Sequence, residues 1–123
     1  MRKMQHIGVD IIEIDRIQQA ITRWGERFLH RVYTDAERGL YKKTETLAVR
    51  FAGKEAAVKA LGTGMRGIGW RDVEILHEPS GKPHVNLYRG ARDKANDLGL
   101  KGLAISLSHS REYAVAFVVG EKE

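Results

Sequence analysis

The stretch from about Thr46 to Leu61 constrains the fold more than any other part of the chain. Set residues at about 100° steps around a helix. Leu47, Ala48, Val49, Phe51, Ala52, Ala56, Ala57, Val58, Ala60 and Leu61 then occupy almost the whole circumference. A helix that is apolar all round belongs in the interior, so the rest of the chain must wrap it. Gly62 is a natural C′ residue to end it. A chain of 123 residues buries roughly two-thirds of its unfolded surface, enough for one core and not for two. The reading is a single domain, 1–123, built around one central helix.

The flanking segments read as a mixture of strands and shorter helices. Gln5 to Ile14 is a strand rich in Ile and Val, and Asp15 is placed to cap a helix running from Arg16 to about Val32. On that helix Ile17, Ile21, Trp24, Phe28 and Val32 recur at helical spacing, and Gly25 is the point where it can break. Thr34 with Glu37 has the form of a capping box, opening a short helix to about Lys43. Beyond the central helix, Gly67 to Gly69 is a loop and Trp70 to Leu76 a strand. A turn over 79–83 leads to a returning strand, His84 to Tyr88. Arg89 to Leu98 is a helix stopped by Gly99. Leu103 to Leu107 and Tyr113 to Val119 are two further strands joined around Ser110-Arg111-Glu112. The fold class is α+β, with a largely antiparallel sheet wrapped by a long central helix and shorter helices.

The absence of cysteine removes disulfides, thiolate zinc sites and cysteine nucleophiles together, and fits a reducing compartment. The apolar run from Ile7 to Ile14 is broken by Asp10 and Glu13 and is too short for a membrane span. The expectation is a cytoplasmic protein with no membrane partner. Net charge is +5, which favours anionic partners. Nucleic acid fits poorly. Single-strand and RNA readers interleave aromatic platforms with basic residues, whereas aromatics are 7% of this chain and most fall in core positions.

Two carboxylates interrupt apolar segments. Glu55 and Lys59 lie four apart on one face of the central helix, between small residues. From spacing alone they read either as a supporting helix pair or as part of a site, because a carboxylate in apolar surroundings is costly unless paired or bound to a cation. Asp10 breaks the run Ile7-Gly8-Val9-Asp10-Ile11-Ile12, either as a strand-end residue or as a metal ligand. Magnesium is held by one or two carboxylates, with substrate phosphates and water completing its shell. Asp10 and Glu55 suit that role, with Lys59 placed to meet a phosphate.

Other motifs carry less. Gly62-Thr63-Gly64-Met65-Arg66-Gly67 matches G-x-G-x-x-G in form, but it follows a helix and precedes a strand, the reverse of a dinucleotide fingerprint. Ser106-Leu107-Ser108-His109-Ser110 places hydroxyls around a histidine, yet neighbours on a strand point to opposite faces. His6, His30, His77 and His84 show no ligand spacing. Arg16, Arg23, Arg27 and Arg31 form one stripe if their helix is continuous, reading as a solvated face or as a dock for an acidic partner.

Two motifs together resemble the holo-acyl-carrier-protein synthase family of 4′-phosphopantetheinyl transferases. The first runs from Gly8 to Ile17 and the second from Arg50 to Gly64. Ser80-Gly81-Lys82-Pro83 and the segments 106–110 and 113–116 also fit, and the match spans essentially the whole chain. Gly53 stands where the family usually has Ala, and Val49 where Gly is frequent; neither removes a charge. Gly53 is expected to cost the helix about 1 kcal/mol relative to Ala.

The resemblance implies a magnesium-dependent enzyme of fatty acid biosynthesis. It would move 4′-phosphopantetheine from coenzyme A to a serine of an acidic acyl carrier protein and release adenosine 3′,5′-bisphosphate. Asp10 and Glu55 would hold Mg2+, and Lys59 would contact the coenzyme A phosphates. Arg50, Gly62, Gly64, Pro83, His109 and Ser110 would line the nucleotide site. Arg16, with Arg23 and Arg27, would meet the carrier. Glu55 is the candidate to accept the serine proton, with Asp10 the alternative. Family members are homotrimers, and His109 would come from the neighbour of the chain giving Asp10 and Glu55. The alternative is a non-catalytic subunit that binds coenzyme A.

Overall fold

A computed structural model describes residues 5–123. In chain order it contains β1 (Ile7–Glu13), α1 (Ile14–Trp24), α2 (Glu26–Val32), α3 (Asp35–Leu40) and α4 (Thr44–Leu61). Then come β2 (Val73–His77), β3 (Pro83–Leu87), α5 (Arg89–Asp97), β4 (Leu100–His109) and β5 (Tyr113–Lys122).

Helix α4 is the central element that its apolar circumference demands. Twelve of its eighteen residues are buried, and these include the charged Arg50 and Lys54. It ends where Gly62 turns left-handed at φ 78°, its N–H donating to the carbonyls of Val58 and Lys59. Against it lies a three-stranded antiparallel sheet in the order β1-β5-β4, with Asp10 opposite Ala116 and Ala116 opposite Leu107. Strands β2 and β3 form a separate antiparallel ladder, with β3 beside β4. The antiparallel character holds, divided between two ladders.

Small residues let α4 approach the sheet closely. Ala52, Ala56, Ala57, Ala60, Ala114 and Ala116 are all core residues. Gly8 on β1 comes closest: a Cβ there would fall 1.8 Å from the Ala56 carbonyl oxygen and 2.8 Å from the Ala60 nitrogen. The two backbones therefore touch, which leaves the next inward-facing residue of β1, Asp10, within reach of the last turn of α4.

Among the described residues Lys54 and Glu37 are the most deeply buried charges. Both belong to one pair. Lys54 Nζ donates to Glu37 Oε1 at 2.8 Å, with both side chains fully buried. It also donates to the carbonyls of Val73 and Trp70. Glu37 belongs to the expected capping box. Thr34 Oγ1 accepts from the Glu37 N–H, and Glu37 Oε1 accepts from the Thr34 N–H. Glu37 Oε2 accepts from the Ile75 N–H. One carboxylate thus ties α3, α4 and β2 together. A pair removed from water stabilises only when its remaining hydrogen-bonding capacity is met, and among the described residues no buried side-chain polar atom lacks a partner.

Several boundaries differ from the sequence reading. Asp15 does not cap α1. Glu13 is the N-cap residue, and Asp15 sits in the first turn accepting from Gln19. The Ile14 N–H instead donates to the Glu112 carbonyl in the β4–β5 turn. Gly25, at φ 54° and ψ −130°, splits the long helix into α1 and α2. The expected helix to Lys43 stops at Leu40, because Lys43 is already the N-cap of α4. Trp70–Asp72 is a 3-10 turn rather than the start of a strand. Asp72 accepts from the Gly69 N–H and from Arg89 Nε, and so holds the turn closed. Strands β4 and β5 extend well past the expected ends.

Candidate active site

Helix α4 and strand β1 build one cleft. Asp10 projects from the inner face of β1 and Glu55 and Lys59 from the exposed arc of α4. With Arg16 and Phe28 they line a cavity of about 390 Å³. Lys59 donates to Asp10 Oδ1 at 3.0 Å and to the Val9 carbonyl at 3.1 Å, so its partner is Asp10 and not the Glu55 that helical spacing offered. Lys59 is 54% exposed and Asp10 17%, which leaves the ammonium open to a ligand. Burial pushes the Glu55 carboxyl above its ordinary value. The nearby Asp10 charge pushes it further, and Lys59 draws it partly back.

Two carboxylates brought to one cleft repel each other, and a cation between them would relieve that repulsion. Among the described residues no group of three metal-ligating side chains is assembled, so a closed protein cage such as structural zinc demands is not available. Two carboxylates do suit magnesium, which completes its shell with water and phosphate oxygens.

A second cleft of about 500 Å³ lies on another face of α4. Five helical positions separate Arg50 from Glu55, a rotation of about 140°. Arg50 therefore faces away from the carboxylates and joins Lys82 and Pro83 of the β2–β3 hairpin, and Ser106, Ser108 and His109 of the edge strand β4. The expected residues Arg50, Pro83 and His109 share this cleft, and neither Asp10 nor Glu55 reaches it. His109 Nδ1 donates to the Ser110 carbonyl at 3.2 Å, and Ser110 Oγ accepts from the Tyr113 N–H. Gly62 and Gly64, both at positive φ, lie past the end of α4 and line neither cleft.

The arginine stripe is broken at Gly25. Arg16 enters the Asp10 cleft, while Arg27 and Arg31 rim a neighbouring groove of about 520 Å³ floored by Phe28, Phe51 and Trp70. Phe28 and Phe51 line both cavities, so the groove continues into the cleft. Phe51 stacks on Trp70 at 4.8 Å. Trp24, a core position by periodicity, is 49% exposed. Arg23 and Arg27 lie over its ring at 5.0 and 5.9 Å. As the last residue of α1 it stands where the helix breaks at Gly25, and its ring packs under arginines rather than into the core.

Sequence reasoning assigned no role to Lys54, Tyr41 or His77. The all-apolar circumference of α4 was the available signal for Lys54, since a lysine there must be buried and paired. Tyr41 and His77 gave no such signal. Tyr41 is buried beneath Arg50, and its hydroxyl meets His77 Nδ1 at 2.6 Å.

Comparison with known proteins gives this geometry a context. The family model for the 4′-phosphopantetheinyl transferase superfamily matches residues 6–118. The chain is 53% identical over 119 residues to the holo-[acyl-carrier-protein] synthase of Dehalococcoides mccartyi, covering 96% of this chain and 99% of that protein. It is 50% identical over 121 residues to the synthase of Herpetosiphon aurantiacus, covering 92% and 95%. Among solved structures, the Neisseria meningitidis holo-[acyl-carrier-protein] synthase superposes with a TM-score of 0.87 at 34% identity, covering 97% of this chain and 100% of that one. The Helicobacter pylori synthase, crystallised in complex with coenzyme A, superposes with a TM-score of 0.85 at 32% identity, covering 94% and 99%. With a family model spanning almost its full length and relatives at half identity, the chain belongs to the holo-[acyl-carrier-protein] synthase family of 4′-phosphopantetheinyl transferases.

Proposed function

We propose that this chain is an enzyme of fatty acid biosynthesis that transfers 4′-phosphopantetheine from coenzyme A to a serine of an apo-acyl carrier protein in the cytoplasm. The observation that carries the reading is the convergence of Asp10 and Glu55, from β1 and α4, on one cleft beside Lys59. Asp10 and Glu55 would hold Mg2+. When bound, the ion supplies positive charge against the diphosphate.

The carrier serine Oγ attacks the β-phosphorus of coenzyme A, the bond from that phosphorus to the bridging oxygen breaks, and adenosine 3′,5′-bisphosphate leaves. Charge spreads over phosphoryl oxygens, so positioning and electrostatic stabilisation dominate. Lys59 Nζ, exposed at the cleft, neutralises that charge. Glu55 accepts the serine proton, because it is the carboxylate of the cleft that the ion pair with Lys59 leaves free. Asp10, ion-paired to Lys59, is less suited to that role. Arg16, Arg23 and Arg27 receive the acidic carrier. The aromatic groove that Arg27 rims with Arg31 suits the apolar face of an amphipathic acidic helix.

The nucleotide end of coenzyme A is assigned to the Arg50, Pro83 and His109 cleft. The two clefts sit at opposite edges of the sheet, β1 and β4, so a complete site needs the β1 edge of one copy against the β4 edge of another. Head-to-tail contacts of this kind close into rings, and a homotrimer is the ring proposed. The outer sheet face supports it: Ile7, Val9, Ile11, Phe117 and Val119 are exposed side by side.

The test is direct. Incubated with coenzyme A, Mg2+ and an apo carrier protein, the chain should add the phosphopantetheine mass to the carrier. Binding without mass gain across several carriers would mark a non-catalytic coenzyme A-binding subunit. Glu55→Gln should lose turnover, and near-normal turnover would remove Glu55 as the base. Glu55→Gln and His109→Ala should each be inactive alone and recover activity when mixed subunits reassemble. No recovery would rule out the shared site.

A further inference from the structure

We infer that Tyr41 is a positioning residue for Arg50, its ring and its His77 tether together fixing the guanidinium at the phosphate-binding cleft. The inference rests on the reading that this cleft takes the nucleotide end of coenzyme A. Arg50 is 6% exposed, yet among the described residues it has no carboxylate partner. Its guanidinium carbon lies 3.5 Å from the centre of the Tyr41 ring. Its Nε donates to the Ile75 carbonyl at 2.9 Å and Nη1 to the Thr46 carbonyl at 3.4 Å. An arginine has five N–H donors, so three are left for an anion in the cleft.

A buried cation without a counter-ion is costly unless something replaces its solvation, and the face of an aromatic ring does so in part. A carboxylate in the same place would neutralise Arg50 and weaken its pull on phosphate. The tyrosine ring stabilises the cation while leaving its full charge for the ligand. The ring is itself held at both ends. The Tyr41 N–H donates to the Glu37 carbonyl at the end of α3, and the hydroxyl meets His77 Nδ1 at 2.6 Å. His77 pairs across the hairpin with Pro83, a residue of the same cleft. Tyr41 therefore sets the distance between Arg50 and the hairpin wall opposite it.

The experiment measures coenzyme A affinity by calorimetry, with KM and kcat for carrier modification, in full-length wild-type, Tyr41→Leu, Tyr41→Phe, His77→Ala and Arg50→Ala proteins. Tyr41→Leu should weaken coenzyme A binding and raise its KM by about 10-fold, with kcat within about twofold. Tyr41→Phe and His77→Ala, which keep the ring and lose the tether, should each raise KM by about threefold. In an Arg50→Ala background none of these changes should have further effect. His77 is exposed, so His77→Ala decides the matter if circular dichroism shows Tyr41→Leu unfolded. Unchanged KM in the folded variants, or the same KM rise with and without Arg50, overturns the inference alone. A wild-type protein that binds no coenzyme A overturns both the inference and the reading beneath it.

Discussion

Replacing Gly8 by alanine tests whether the contact between β1 and α4 builds the site. The added Cβ would sit 1.8 Å from the Ala56 carbonyl oxygen. Ordinary contact needs about 3.4 Å or more, so the two backbones must part by roughly 1.6 Å at that point. Neither atom can rotate away, because one is fixed in a helix and the other in a paired strand. Overpacking a core costs about 1–3 kcal/mol where side chains can adjust, so this backbone collision should cost about 3 kcal/mol or more. For a domain of this size that lowers Tm by about 10–15 °C. The same displacement carries Asp10 away from Lys59, now 3.0 Å apart. A shift of about 1 Å at a reacting geometry can cost about 100-fold in rate.

Gly53→Ala is the internal control. Its Cβ would meet the Ile75 Cδ1 at 2.5 Å and the Ile105 Cδ1 at 3.1 Å, both ends of side chains. Alanine's advantage of about 1 kcal/mol in a helix then nearly offsets the crowding, and stability should stay within about 1 kcal/mol. Shortening Ile75 to valine should turn Gly53→Ala stabilising, as the colliding methyl is gone. Thermal and urea denaturation, with the phosphopantetheine mass assay on the folded fraction, provide the measurements. A Gly8→Ala protein as stable and active as the parent would refute the argument that this close approach creates the Asp10–Lys59 pair.

Other consequences can be checked with the same methods. Lys54→Met leaves the Glu37 carboxylate buried and unpaired, and should lower stability by about 3–5 kcal/mol; a urea midpoint near the parent's would contradict the pairing. Glu74 bears on acid stability. Burial pushes its carboxyl up, but hydrogen bonds from Thr34, Asn86 and Tyr88, with the Lys54 charge, outweigh that and hold it below the ordinary 4.5. Its stabilisation is therefore complete above about pH 4.5 and is lost as pH falls through the depressed value. Glu74→Gln should cost about 1–2 kcal/mol at pH 7 and flatten the loss of Tm on acidification, and an unchanged acid profile would count against this. Arg27→Glu should raise the KM for the carrier by about 10-fold with kcat kept, and the difference should shrink in high salt. A salt-independent effect would point to packing instead.

Much of the site was legible because it breaks a local rule. Glu55 and Lys59 stand on an otherwise apolar helix, and Asp10 interrupts an apolar strand; both violations pointed to the residues that share the cleft. The Thr34–Glu37 capping box was also readable, since its bonds lie within four residues. Its second task was not, because Glu37 meets Lys54 only through the packing of α3 on α4. The choice of Lys59's partner shows the same limit. Spacing offered Glu55, and the approach of β1, which Gly8 permits, supplied Asp10 instead.

The central helix, the antiparallel α+β class and the charged residues that meet in the Asp10 cleft were readable along the chain. All three follow from periodicity or from a charge placed where apolar residues prevail. Only the tertiary structure decided which walls meet Arg50 and Glu55 on their two faces of α4, that Arg16 parts company from Arg27 at Gly25, and that Tyr41 lies under Arg50. These depend on how one element's rotation meets another's surface, and that is set by the packing of the whole core rather than by neighbours along the chain.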